Sequence, residues 1–164
     1  MCSSSIDYIG ERMSSDKLHV SEVVKLVSKE VKGLWGKILF YVKSWFRDLL
    51  YEPIYIEELH KFLEKWRKEV LPELAYTSEV FDCDDFGAYF KAWLTKESGK
   101  NCVAEAIGIV HVPDVGEAMH EWNVVLARLP MGEVKVLHVE PQIGQVLIEH
   151  SYDGWKYNLV WVIM

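Results

Sequence analysis

The sequence predicts an α+β domain, and three observations carry that prediction. Apolar residues recur at helical spacing from about Asp16 to Ser98, strand-length runs of β-branched and apolar residues follow from Val103, and short turn signals separate those runs. Helices first and an antiparallel meander second is the α+β order. A chain of 164 residues, half of them apolar, suits a single core. Eight Tyr, seven Trp and six Phe make that core aromatic-rich.

Residues 1–15 are Ser-rich with weak periodicity and read as a leader. From Asp16, the positions Leu18, Val20, Val23, Val24, Val27 and Val31 fall on one helical face, and Gly33 and Gly36 bracket a break. A second helical stretch carries Leu34, Trp35, Ile38, Leu39, Val42, Trp45, Phe46, Leu49 and Leu50 on a broad face, with Lys37, Lys43 and Arg47 opposite. A membrane surface suits such a face, but packing on the domain or on a second copy is the reading taken. Residues 1–50 are therefore expected to form a helical extension that supplies an oligomer surface, and residues 51–164 the α+β domain.

Glu57–Val70 is an amphipathic helix that Pro72 should end. His60 and Glu64 lie one turn apart on it and read as a solvated pair rather than metal ligands. A further helix opens after Asp82, buries Phe86, Tyr89, Phe90, Trp93 and Leu94, and stops at Gly99-Lys100-Asn101. The expected strands are Val103–Val112, Glu121–Leu129, Val134–Glu140, Gln145–Glu149 and Tyr157–Met164.

Charge narrows the partners. The net −7 speaks against nucleic acid, because phosphate neutralisation needs clustered Lys and Arg. Residues 1–51 hold eight basic and six acidic side chains, leaving ten against nineteen for the rest. The acidic part suits a divalent cation or a basic substrate. Three cysteines without an evident signal peptide point to a reducing, cytoplasmic setting without a disulfide framework. No apolar run reaches the ~18–20 residues a bilayer requires.

Chemistry concentrates at Cys83. With Asp82 as N-cap, the thiol sits in the first helical turn, where unpaired N–H groups and the positive dipole end favour thiolate and could bind an oxyanion. Asp82, Asp84 and Asp85 oppose that effect unless they point away or a cation neutralises them; calcium, an oxygen binder, could use Asp84 and Asp85. The plain alternative is a capped helix with Cys83 as a small buried hydrophobe.

His120 is the best-placed base, at the mouth of its strand. If the hairpin through Pro130-Met131-Gly132-Glu133 pairs Arg128 with Val134, then Glu140 falls opposite Trp122, and His120, Trp122 and Glu140 share a face. A carboxylate there would orient the imidazole. Asn123 and Gln142, near the same strand ends, are further orienting or oxyanion candidates. Tyr76 is a weaker one.

Phe81-Asp82-Cys83-Asp84-Asp85-Phe86, His120-Glu121-Trp122-Asn123 and Glu140-Pro141-Gln142, in that order, resemble the papain-like C-terminal domain of a mushroom agglutinin and its phage-type relatives, whose pattern reads roughly DCDDFA, HAWN and EPQ. The helix-start Cys is also similar to that of NlpC/P60 peptidases. The resemblance covers about Tyr51 to Glu149. It implies a papain-like fold and a calcium-dependent cysteine protease, with Cys83 as nucleophile, His120 as base, Glu140 as orienting acid, and Asp84 and Asp85 as calcium ligands.

Two positions depart from the pattern. Gly87 replaces Ala, and Glu121 replaces the small residue after His, adding a charge that should raise the histidine pKa or serve as a metal ligand. The expectation is thus a cysteine peptidase acting on a peptide or protein substrate. The rivals are a catalytically inactive papain-like binding or scaffold module and a transglutaminase-like acyl transferase. Zinc is disfavoured, because no close CxxC or HxxxH pair occurs.

Overall fold

The computed structural model describes residues 17–164. The Ser-rich leader and Cys2 lie outside the described residues. A short strand β1 (Leu18–His19) leads into α1 (Val20–Glu30), and α2 (Leu34–Lys43) follows. The strands β2 (Leu50–Tyr51) and β3 (Ile54–Tyr55) precede α3 (Ile56–Lys65), which runs on as a π turn over Trp66–Val70 and a 3-10 turn over Leu71–Glu73. Pro72 sits in that last turn, where it ends the helix as expected.

Helix α4 (Cys83–Ser98) begins at the N-cap Asp82, whose backbone N–H donates to the Asp85 carboxylate at 3.3 Å in a reciprocal capping box. Gly99, left-handed at φ 68°, closes it. The sheet follows: β4 (Val103–Val112), β5 (Gly116–Arg128), β6 (Val134–Glu140), β7 (Gln145–Val146), β8 (Ser151–Tyr152) and β9 (Trp155–Ile163). The α+β class and the packing of the Cys-bearing helix on an antiparallel sheet are as expected, with α4 against β4 and β5.

Three features differ from expectation. The second helix stops at Lys43 rather than near Leu50, because the chain turns extended and Trp45 bridges to Ile163: Trp45 N–H donates to Val162 O at 3.0 Å, and Met164 N–H returns a bond to Trp45 O at 2.8 Å. The strand expected to begin at Glu121 begins at Gly116 instead, so His120 lies within it rather than at its mouth. The last strand does not extend the meander. Strand order β7-β6-β5-β4-β9-β8 sends β9 back across to β4.

Val23 and Val27 of α1, Val31 just after it and Phe40 of α2 join one core with Trp66, Phe90, Trp122, Leu126 and Leu159. Burying each such side chain contributes about 1.5–3 kcal/mol. Among the described residues, no helix is long and apolar enough to cross a membrane.

Candidate functional site

The site forms where the first turn of α4 meets β5 and the end of β6. The hairpin adopts the expected register: Arg128 faces Val134 and Asn123 faces Val139, which sets Glu140 at the level of Trp122. Two-residue alternation then brings His120 to the same face. His120 Nε2 and Glu140 Oε2 are 2.7 Å apart, and both side chains are nearly buried, 12% and 5% exposed.

Glu140 is held by three partners. Besides the His120 ring, the Tyr157 hydroxyl donates to Oε2 at 3.2 Å and the Gln142 backbone N–H donates to Oε1 at 3.2 Å, so the carboxylate cannot swing away from the imidazole. Burial raises the Tyr157 pKa, and the Glu140 charge adds to that, so the phenol stays a donor. Trp122 stacks within 20° of the imidazole.

Cys83 is a free, half-buried thiol that hydrogen-bonds the His120 ring. Burial works against the imidazolium, yet the bonds to Cys83 and Glu140 outweigh it and hold His120 up at about 9. The structure therefore brings Cys83, His120 and Glu140 together. A cleft of about 300 Å³ opens over Cys83 and His120, lined also by Tyr76, Met119, Gln142 and Trp155.

Asn123 is not part of this edge. It lies on the opposite face of β5, fully buried, and its amide donates to Gly87 O at 3.0 Å and Ala104 O at 3.1 Å, tying α4 to the sheet. Glu121 also faces α4, and burial, with the Glu105 and Asp84 charges, pushes it up to about 8. It is therefore mostly neutral at pH 7. The high pKa of His120 comes from Cys83 and Glu140, not from Glu121 as the sequence suggested.

The acidic cluster divides. Asp85 is committed to the helix cap. Asp82 and Asp84 interact side chain to side chain, which lowers the pKa of the first and raises that of the second. The ligand atoms that converge are those of Asp82, Cys83 and Asp84. Two carboxylates and a sulfur fall well short of the six to eight oxygens of a calcium site, and the expected pairing of Asp84 with Asp85 is not formed. Calcium bound here would need further oxygens from backbone carbonyls or water beside Asp82 and Asp84. Glu64 pairs with Lys68 rather than with His60.

A second histidine group links α1 to the sheet. Glu30 Oε2 lies 3.0 Å from His150 Nε2 and 3.8 Å from His138 Nε2. The two rings stack 19° from parallel, so their lone pairs do not converge on one ion. Trp122 Nε1–H donates to His138 Nδ1 at 2.9 Å, which leaves the proton of neutral His138 on Nε2. Burial, with the charges of His150 and Lys32 adding, drives His138 down to about 3, so it stays neutral. This group is a tether, not a metal centre.

Tyr157 and Trp155 complete the site, and the sequence pattern does not reveal either. They reach it only because β9 crosses to β4, a long-range pairing with no local signal. Trp155 is a cleft wall; Tyr157 fixes Glu140.

Comparison with known proteins gives three findings. No curated protein matches the chain. A PSL1a–E64 complex has a similar fold, with a TM-score of 0.62 and 21% identity over 91% of this chain and 51% of that one. The Polyporus squamosus lectin bound to the human-type influenza-binding epitope Neu5Aca2-6Galb1-4GlcNAc is equally similar, with a TM-score of 0.62 and 20% identity over 91% of this chain and 50% of that one. The chain thus spans about half the length of these neighbours.

The model of the agglutinin C-terminal family matches residues 56–146, more than half of the chain. That match meets the expectation of an agglutinin-like domain and overturns the expectation of an enzyme. The match names an agglutinin domain, so the cysteine-peptidase expectation is not carried further, and Cys83, His120 and Glu140 stand as a cluster defined by its geometry. The chain belongs to the agglutinin C-terminal family.

Proposed function

We propose that this chain is a binding module, the scaffold alternative among the expectations, and that it takes a small ligand into the cleft over Cys83 and His120. The observation that carries this reading is the cleft itself. Aromatic walls at Tyr76 and Trp155 flank a polar floor of Cys83, His120 and Gln142, a composition that suits a ligand with one apolar face and several hydroxyl or carbonyl groups. The His120 imidazolium, fixed by Glu140, places positive charge at the cleft floor, which favours an anionic or carbonyl oxygen nearby.

Two ligands held by fold neighbours serve as probes: the glycan Neu5Aca2-6Galb1-4GlcNAc and E64. In this reading the glycan's sugar rings lie on the aromatic walls, and its carboxylate meets His120.

Titration of the ¹⁵N-labelled chain with each probe tests the reading. Saturable shifts at Tyr76, His120 and Trp155 are expected, with about tenfold weakening in Trp155→Ala. Absence of shifts at these residues with both probes would remove the cleft as a binding site.

A further inference from the structure

The segment 32–47 is unlike the rest of the chain. It holds Lys32, Lys37, Lys43 and Arg47 and no acidic residue, within a sequence of net charge −7. Helix α2 in its middle buries only Phe40, while Leu34, Trp35, Tyr41, Val42 and Trp45 are 74%, 77%, 64%, 73% and 65% exposed. Among the described residues, nothing covers these side chains. An exposed patch of this apolar content, rimmed by one sign of charge, marks an interaction surface.

The patch is rigidly mounted. Phe40 fills the core under α2, Lys43 lies 4.6 Å over the Trp161 ring, Ser44 Oγ accepts from Val162 N–H at 3.1 Å, and Trp45 exchanges backbone bonds with Val162 and Met164. The aromatic residues are thus presented outward on an ordered support, and little ordering entropy remains to be lost on docking.

We propose that α2 and the following residues to Arg47 form a peripheral docking surface for an anionic lipid bilayer. Charge complementarity favours this occupant over a second copy of the chain. A two-fold contact places the same patch against itself, so the cationic rims would face each other without a carboxylate between them. A bilayer supplies what the patch lacks: negative headgroups for Lys32, Lys37 and Arg47, and an interfacial layer in which Trp and Tyr rings lie with one edge wet. The rest of the chain is net acidic, which favours docking through this face.

Cosedimentation of the full chain with phosphatidylcholine vesicles, with and without about 30% phosphatidylserine, tests the proposal. Binding to the anionic vesicles about tenfold above the neutral ones is expected, falling as salt rises. The pairs Trp35→Ala/Val42→Ala and Lys37→Glu/Arg47→Glu should each cut it about tenfold while the melting temperature stays within a few degrees, since these side chains are exposed. Failure of the folded parent to bind anionic vesicles would overturn the proposal. So would a dimer in sedimentation velocity that Trp35→Ala/Val42→Ala dissociates, with no vesicle binding by the parent.

Discussion

His120 and Glu140, twenty residues apart in sequence and on neighbouring strands, meet at 2.7 Å, and that contact, with Cys83, holds the ring's pKa up. Raised from 6.5 to about 9, His120 contributes stability that is fully present below the unfolded value of 6.5 and lost as pH rises through about 9. The parent should therefore lose about 3 kcal/mol across that window from this group. Glu140→Gln keeps the shape and removes the charge. NMR titration of the ring should then show its pKa lowered by about one unit or more, and an unchanged value would mean that Glu140 does not set the charge state.

Trp66 secures the loop that follows Glu140. Its Nε1–H donates to Pro141 O at 2.8 Å from a fully buried position, packed edge-on against Phe90. Trp66→Phe keeps an aromatic ring but leaves the carbonyl unbonded and a void behind. A loss of about 2–3 kcal/mol in urea unfolding is expected, with faster amide exchange at Gln142. A loss below about 0.5 kcal/mol would assign the loop's position to other contacts.

What the sequence made legible was local. The change of period after Gly99, the cap at Asp82 and the hairpin between Arg128 and Val134 are each set within a dozen residues, and each formed as read. From the hairpin alone His120 and Glu140 could be placed on one face, and the motif resemblance joined Cys83 to them. The return of β9 to β4 and the bridge from Trp45 to Ile163 join residues about 50 and 118 apart. Apolar alternation marks β9 as a strand without naming its neighbour, so Trp155 and Tyr157 stayed hidden. Asn123 was misplaced for a simpler reason: nearness to the strand end was weighed above the alternation that turns it toward α4.

Calcium addition tests the acidic cap. Because Asp85 is used by the helix cap and only Asp82, Cys83 and Asp84 converge beside it, millimolar calcium should move the melting temperature by less than about 1 °C, and chelator should leave it unchanged. A rise of several degrees would show that further oxygens join Asp82 and Asp84 around an ion.

The two departures from the family pattern prove to be one contact. A Cβ on Gly87 would stand 2.8 Å from Glu121 Oε1, so the glycine in α4 makes room for the carboxyl on β5. Gly87→Ala gains about 1 kcal/mol of helix propensity but forces an overpacked contact that costs about 1–3 kcal/mol. Glu121→Ala removes a buried oxygen that has no hydrogen-bond partner among the described residues. It also removes a group whose pKa, raised from 4.5 to about 8, takes stability away as pH rises through that range. Gly87→Ala should therefore be destabilising alone and well tolerated with Glu121→Ala, giving a coupling of about 1–2 kcal/mol in a double-mutant cycle. Additivity within about 0.5 kcal/mol would mean that the two substitutions are independent, and that the small residue of the family pattern was lost at each position for separate reasons.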